Sequence, residues 1–142
     1  MIGFLLDTNV LSEFKRRAVP DPHVSAWLRA TDPDLLWASV FSFGEIRKGI
    51  EGLAPGRRRT ELEEWLERDL EQWFEERLLP VTKAIADRWG ILMAHALDRG
   101  KPLPNIDGVI AATALEHDLT LVTRNVKDFA GLGVTLLNPW EI

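Results

Sequence analysis

The stretch IGFLLDTNVLSEF, residues 2–14, decides how the chain is read. Ile2 to Leu6 is an apolar run of strand length, stopped by the polar Asp7, Thr8 and Asn9, and it predicts a buried strand. Val10, Leu11 and Phe14 then start a helix by their spacing, with Lys15, Arg16 and Arg17 at its exposed end. A strand that passes at once into a helix opens an α/β fold. In such folds the functional crevice lies just beyond the carboxyl ends of the strands, which is where Asp7 falls.

Outward from this opening the alternation continues. Leu35 to Ser39 (LLWAS), Leu119 to Thr123 (LTLVT) and Val134 to Leu137 (VTLL) read as further strands, and Leu78 to Val81 as a short edge strand. Between them, Val24, Trp27 and Leu28 mark a short helix, and Val40, Phe43, Ile46 and Ile50 another that runs towards Gly52. Arg57 to Leu79 reads as one long amphipathic helix with an acidic outer face, and Ile85 to Leu97 as the next. Pro104-Asn105-Ile106-Asp107 is a helix entrance before the Ala-rich run Val109 to Leu115. Strands alternating with helices predict a parallel sheet covered on both faces.

The 142 residues, 46% hydrophobic and 27% charged, suit one domain spanning residues 1–142. The absence of cysteine excludes disulfides, a thiolate zinc site and a cysteine nucleophile. Apolar stretches stop short of the roughly 18–20 residues that cross a bilayer, and no basic segment precedes the first one, so the expectation is a cytoplasmic protein without membrane contact. A formal net charge of −5 argues against gripping nucleic acid by an overall positive field. It leaves room for a nucleic-acid enzyme, because acids gathered around divalent cations lower the net charge while reversing its local sign.

Five residues carry the chemistry. Asp7 ends the first strand, Arg124 and Asn125 follow LTLVT, Glu45 sits about two turns into the helix after LLWAS, and Asp107 opens the Ala-rich helix. FLLDTNVL, FSFGEI and NIDGVIAATA each place a carboxylate in apolar sequence, where a packed fold hides it only with a partner. A shared divalent cation is the obvious one, and oxygen donors without cysteine or nearby histidine select Mg²⁺ or Mn²⁺ over zinc. Such a cluster suits phosphodiester hydrolysis. Thr8, Asn9 and Thr123 are placed to support it by hydrogen bonds, and Arg124 either touches substrate phosphate or pairs with an acid.

Each of these residues also has a plainer reading: Asp7 as a helix cap, Asp107 as an anion favoured by a helix dipole, and Glu45 as a solvent-facing side chain. His23, His95 and His117 lie outside the motifs. The acidic helix carries eight carboxylates between Glu61 and Glu76 against Arg68 alone, a solvated face by default. Its Trp and Phe stripe either packs on the core or forms part of a groove for a partner helix.

LLDTNVLSE at 5–13, GEIRKGI at 44–50, DGVIAATALEHDLTLVTRNVKDF at 107–129 and NPW at 138–140 resemble a PIN domain of the VapC type, and within it the FitB-like members. The resemblance covers nearly the whole chain in the right order. It implies a three-layer α/β/α sandwich with a parallel sheet of four to five strands, and Mg²⁺- or Mn²⁺-dependent endoribonuclease activity acting as the toxin of a type II toxin–antitoxin pair. It also implies a homodimer, a cognate VapB- or FitA-like antitoxin, and higher assembly on operator DNA. Asp7, Glu45 and Asp107 match the family's three acidic positions. The fourth, often Asp, falls on Asn125, a departure that leaves a neutral group there unless Asp128 supplies the missing carboxylate.

Two rivals stand beside this reading. A phosphatase of the haloacid dehalogenase kind also begins with a strand ending in Asp, but it needs a second Asp where this chain has Asn9. A catalytically silent PIN-like module acting with a DNA-binding partner is kept in play by Asn125. A nucleotide-binding module lacks both of its glycine-rich signatures.

Overall fold

β1 (Phe4–Leu6) is the middle strand of the sheet, flanked by β2 (Leu36–Ser39) and β4 (Thr120–Val122), with Leu5 in register with Trp37 and Leu121. β3 (Leu78–Leu79) and β5 (Leu136–Leu137) form the edges, giving the order β3-β2-β1-β4-β5 with every pairing parallel. The structure is a computed structural model and describes residues 3–15 and 20–142. The predicted strand start at Ile2 and the basic residues Arg16 and Arg17 lie outside the described residues.

The two-residue period of the strands divides the core into two layers. Leu6, Ala38 and Val122 face a cluster built with α1 (Thr8–Leu11), α2 (Pro22–Ala30), α3 (Val40–Glu51) and the segment 57–74. Leu5, Leu79 and Leu121 face the opposite cluster, built with α6 (Lys83–Asp98) and α7 (Asn105–Glu116). The sandwich therefore has three layers, as the alternating sequence predicts. Phe74 and Phe129, one in each cluster, are almost completely buried. Each such side chain contributes about 1.5–3 kcal/mol relative to an exposed one.

The segment expected as one helix from Arg57 to Leu79 is broken. α4 (Arg57–Glu64) gives way to a π-helical stretch at Trp65–Leu70, then to α5 (Glu71–Phe74) and a 3-10 turn at Glu75–Arg77. Leu66, Leu70 and Phe74 recur every four residues and are all buried. In an α-helix that spacing drifts by roughly 40° per step, and a wider turn keeps the three on the sheet. The helical path ends at Glu75, whose φ is +48°.

Other boundaries shift less. Leu35 belongs to a 3-10 turn at Pro33–Leu35 and β2 starts one residue later. β3 covers only the first half of the predicted Leu78 to Val81, because Pro80 has no N–H to extend the ladder. The helix after Asp7 is a single α turn continued as a 3-10 turn at Ser12–Lys15. α3 begins directly from β2 because Ser39 Oγ accepts from the Phe41 N–H at 3.1 Å. At Gly108 the α7 backbone comes so close to α6 that a Cβ would lie 2.6 Å from Met93 Sδ. That contact presses the first turn of α7 onto α6, one residue after Asp107. No helix of the described residues is long and apolar enough to cross a membrane.

Candidate active site

Asp7 leaves β1 with its N–H donating to Val122 O at 2.9 Å, so its backbone continues the β1/β4 ladder. Its side chain caps α1, Oδ1 accepting from the Thr8 N–H at 2.8 Å, while Oδ2 accepts from Thr123 Oγ1 at 2.8 Å. Asp7 is 6% exposed. Burial pushes its carboxyl above the usual aspartate range, the Thr123 and Thr8 hydrogen bonds pull it back, and the charges of Glu45 and Asp128 raise it again. The net effect is upward, so capping accounts for only part of its environment.

Thr123 is fully buried just past β4. Its hydroxyl oxygen accepts from the Asn125 N–H at 3.1 Å and from Asn9 Nδ2 at 3.4 Å. With both acceptor directions used, the hydroxyl proton is committed to Asp7. Asn9 also accepts, at Oδ1, from the Arg124 N–H at 3.4 Å. Thr8, Asn9 and Thr123 thus form one hydrogen-bonded frame around the end of β1.

Glu45, in the second turn of α3, is half-buried and accepts from Thr8 Oγ1 at 2.6 Å. Its α3 start is set by Ser39 at the carboxyl end of β2, which swings the glutamate back towards β1. Asp107, in the first turn of α7, is half-buried too. Burial, and then the charges of Asp7, Asp128 and Glu45, push its carboxyl up to about 6. The favourable dipole at the start of α7 does not outweigh them.

Asp128 is exposed on the 3-10 turn Val126–Phe129 that follows β4, and its charge raises both Asp7 and Asp107. Asn125 enters through its backbone, its N–H on Thr123 and its C=O accepting from the Asp128 N–H at 3.0 Å. The Arg124 guanidinium lies over the Trp140 ring, 5.3 Å from its centroid. Trp140 and Asn138 are neighbours of the site to which the sequence alone assigns no role, although NPW at 138–140 is one of the motifs that carry the family resemblance. His23 bonds the Ile142 carbonyl through Nδ1 at 2.8 Å, apart from the acids.

The fold therefore brings Asp7, Glu45, Asp107 and Asp128 within electrostatic reach of one another, and among the described residues no Arg or Lys forms an ion pair with Asp7, Glu45 or Asp107. All the donors are oxygen, which suits a hard divalent cation, and their mutual repulsion is what a cation would relieve. Among the described residues no three acids or histidines are drawn together closely enough to share one ion as they stand. Donor chemistry and charge fit such an ion, and holding it requires the carboxylates to close in. A neighbouring recess of about 290 Å³, lined by Phe41, Ile85, Trp89, Ile106 and Val109, is apolar and separate from the acids.

Comparison with known proteins gives a consistent result. The PIN domain family matches residues 4–133. VapC ribonuclease Y4jK of Sinorhizobium fredii is 36% identical over 137 residues, which is 96% of this chain and 97% of that protein. Toxin FitB of Neisseria gonorrhoeae is also 36% identical, over 96% of this chain and 98% of its own length. Among solved structures, FitAB bound to an IR36 DNA fragment superposes with a TM-score of 0.90 at 34% identity, covering 98% of this chain and 96% of that one.

Proposed function

The chain belongs to the PIN-domain family, and we propose that it is a divalent-metal-dependent endoribonuclease, the toxin half of a toxin–antitoxin pair. The observation that carries this reading is the convergence of Asp7, Glu45, Asp107 and Asp128, from four separated stretches, on the carboxyl ends of β1 and β4 with no basic partner for the first three among the described residues. The VapC ribonuclease and FitB relatives, similar over nearly their whole length, support the same reading. Asp7, Glu45 and Asp107 would hold Mg²⁺, or Mn²⁺ in its place, with Asn125 or Asp128 completing the set.

A bound cation of this kind supplies an activated water and offsets charge on the scissile phosphate. The chain's own contribution is placement. Thr123 fixes the Asp7 carboxylate through a committed proton, and Thr8 fixes Glu45. Asp107 acts in its ionised form, which it takes up as pH rises through about 6. Hydrolysis then joins a water oxygen to phosphorus while the opposite P–O bond breaks and its oxygen leaves with a proton.

The same reading assigns a cognate antitoxin of the VapB or FitA kind, a homodimer, assembly with the antitoxin on operator DNA, and action in the cytoplasm. The FitAB–DNA structure, which superposes over nearly the full chain, supports the antitoxin and DNA assignments. A second reading, a catalytically silent module that serves only transcriptional control with its partner, is favoured by the neutral Asn125 and by acids that do not yet share an ion position.

One experiment separates the two. Antitoxin-free wild type and Asp107→Asn are compared on mixed tRNA and structured RNA with Mg²⁺, Mn²⁺ or excess EDTA. Cutting that needs the metal and is lost in Asp107→Asn is the expected result. Absence of cutting by folded wild type under every condition would favour the silent module.

A further inference from the structure

The NPW segment at 138–140 has no part in the chemistry above, and the geometry points to one. We infer that Trp140 is a positioning residue that holds the Arg124 guanidinium ready for a phosphate of the RNA strand beside the acid cluster. This deepens the nuclease reading and rests on it.

Arg124 is anchored at the site by its backbone. It directly follows Thr123, whose hydroxyl holds Asp7, and its N–H donates to Asn9 Oδ1. Its side chain is ordered by a ring and not by an acid: the guanidinium carbon sits 5.3 Å from the Trp140 centroid, and among the described residues it has no ion pair or side-chain hydrogen bond. A cation over an aromatic face keeps its N–H groups, which lie in the guanidinium plane, free to donate.

Other arginines are committed. Arg47, Arg59 and Arg88 pair with Glu67, Glu51 and Glu116, while Arg77 and Arg99 donate to backbone carbonyls. Arg29 lies on α2 and Arg57 and Arg58 open α4, whereas Arg124 directly follows Thr123 at the end of β4, the strand that pairs with β1 beside Asp7.

Trp140 is itself held. Its N–H donates to Asn138 Oδ1 at 2.9 Å, Asn138 Nδ2 donates back to Arg124 O at 3.4 Å, and the indole packs against the core beside α2. The NPW segment and the TRN segment are thus clipped together at both backbone and side chain. Holding Arg124 in advance lowers the ordering cost of a phosphate contact, and the guanidinium fork suits phosphate better than a point charge does. Its place answers a problem the site itself creates: four mutually repelling carboxylates face a polyanion, and a cation on their flank offsets that repulsion.

The test uses the full chain in the Asp107→Asn background, which keeps RNA intact, with a fluorescein-labelled mixed-sequence single-stranded RNA followed by anisotropy over a range of salt. Arg124→Gln should weaken binding about 3- to 10-fold and lower the slope of log Kd against log salt by about 0.7, the value for one lost contact to a single strand. Trp140→Leu should reproduce most of that change, and Trp140→Phe should restore much of it by keeping a ring under the guanidinium. With Asp107 restored, Arg124→Gln should raise KM for cleavage more than it lowers kcat.

An unchanged Kd and salt slope in Arg124→Gln overturns the inference while leaving the nuclease reading intact, provided the wild type binds and cuts. A wild type that neither binds nor cuts RNA removes the reading on which it rests. Arg124 is exposed, so its variant decides the RNA contact even if Trp140→Leu does not fold. The positioning role is then decided by Trp140→Phe, and loss of RNA binding as large as in Arg124→Gln, from folded protein, overturns it.

Discussion

Two regions of this molecule are rich in acid, and they could hardly differ more. Along residues 61–76 eight carboxylates crowd one short stretch of chain. Glu67 pairs with Arg47 at 2.5 Å, Glu63 with Arg59 at 3.5 Å, and Glu64 and Asp69 with Arg68, mostly at exposed side chains. At the strand ends, by contrast, Asp7, Glu45 and Asp107 come one at a time from distant stretches, are buried or half-buried, and among the described residues meet hydroxyls and each other but no Arg or Lys. The density of charge in the sequence points to the solvated segment. Burial without a countercharge points to the proposed site, because a carboxylate removed from water is tolerated only where something else recovers the cost.

The sharpest way to break this contrast is to neutralise one acid in each region. Asp7→Asn should lower metal-dependent RNA cleavage by roughly 10³-fold, since loss of metal-derived stabilisation is worth several kcal/mol. Glu67→Gln should leave cleavage unchanged and shift stability by less than about 0.5 kcal/mol. Comparable losses in the two variants, measured by cleavage rate alongside thermal melting, would erase the distinction.

A smaller effect tests the hydroxyl frame. Thr123→Val keeps the shape but removes the proton committed to Asp7, and it should cost about 10- to 100-fold in cleavage or metal affinity. Chemical denaturation should show a loss of about 1–3 kcal/mol, from leaving a buried acceptor without its partner.

The finest test is pH. Asp107 is pushed from 3.8 to about 6, so the metal-free fold favours its protonated form. That contribution is fully present below the unfolded value of 3.8 and is lost as pH rises through about 6. Metal-free protein should therefore melt lower at neutral pH than near pH 5 as far as this residue is concerned, and Asp107→Asn should remove that part of the pH dependence. Mg²⁺ should raise the melting temperature of wild type at neutral pH but not that of Asp107→Asn. Cleavage, which needs the ionised form, should fall as pH drops through about 6. A melting temperature unaffected by Mg²⁺ at any pH would place the acid cluster in the same passive class as the helix.

Much of this was legible in one dimension. The run ending at Asp7, the LLWAS and LTLVT segments and the Ala-rich helix behind Asp107 announce their structure because strand and helix periods are local properties of the chain. The break at residues 65–70 was not legible as a break. Leu66, Leu70 and Phe74 read as an ordinary amphipathic face until the sheet beneath them demands a wider turn. Glu45 illustrates the same limit at the site: its neighbours Phe43 and Ile46 leave its direction open, and only the Thr8 hydroxyl settles it.

What the sequence determined by itself is the succession of elements and the set of oxygen donors, since apolar spacing, strand ends and residue chemistry are written directly into the order of side chains. What only the tertiary structure decided is which of 22 acidic residues share an environment, and how. Parallel strands juxtapose their carboxyl ends whatever their separation along the chain, so Thr123 reaches Asp7 across 116 positions, and the NPW segment returns to lie under Arg124. Desolvation and repulsion among charges depend on distance in space, and no reading of neighbours in sequence supplies that distance.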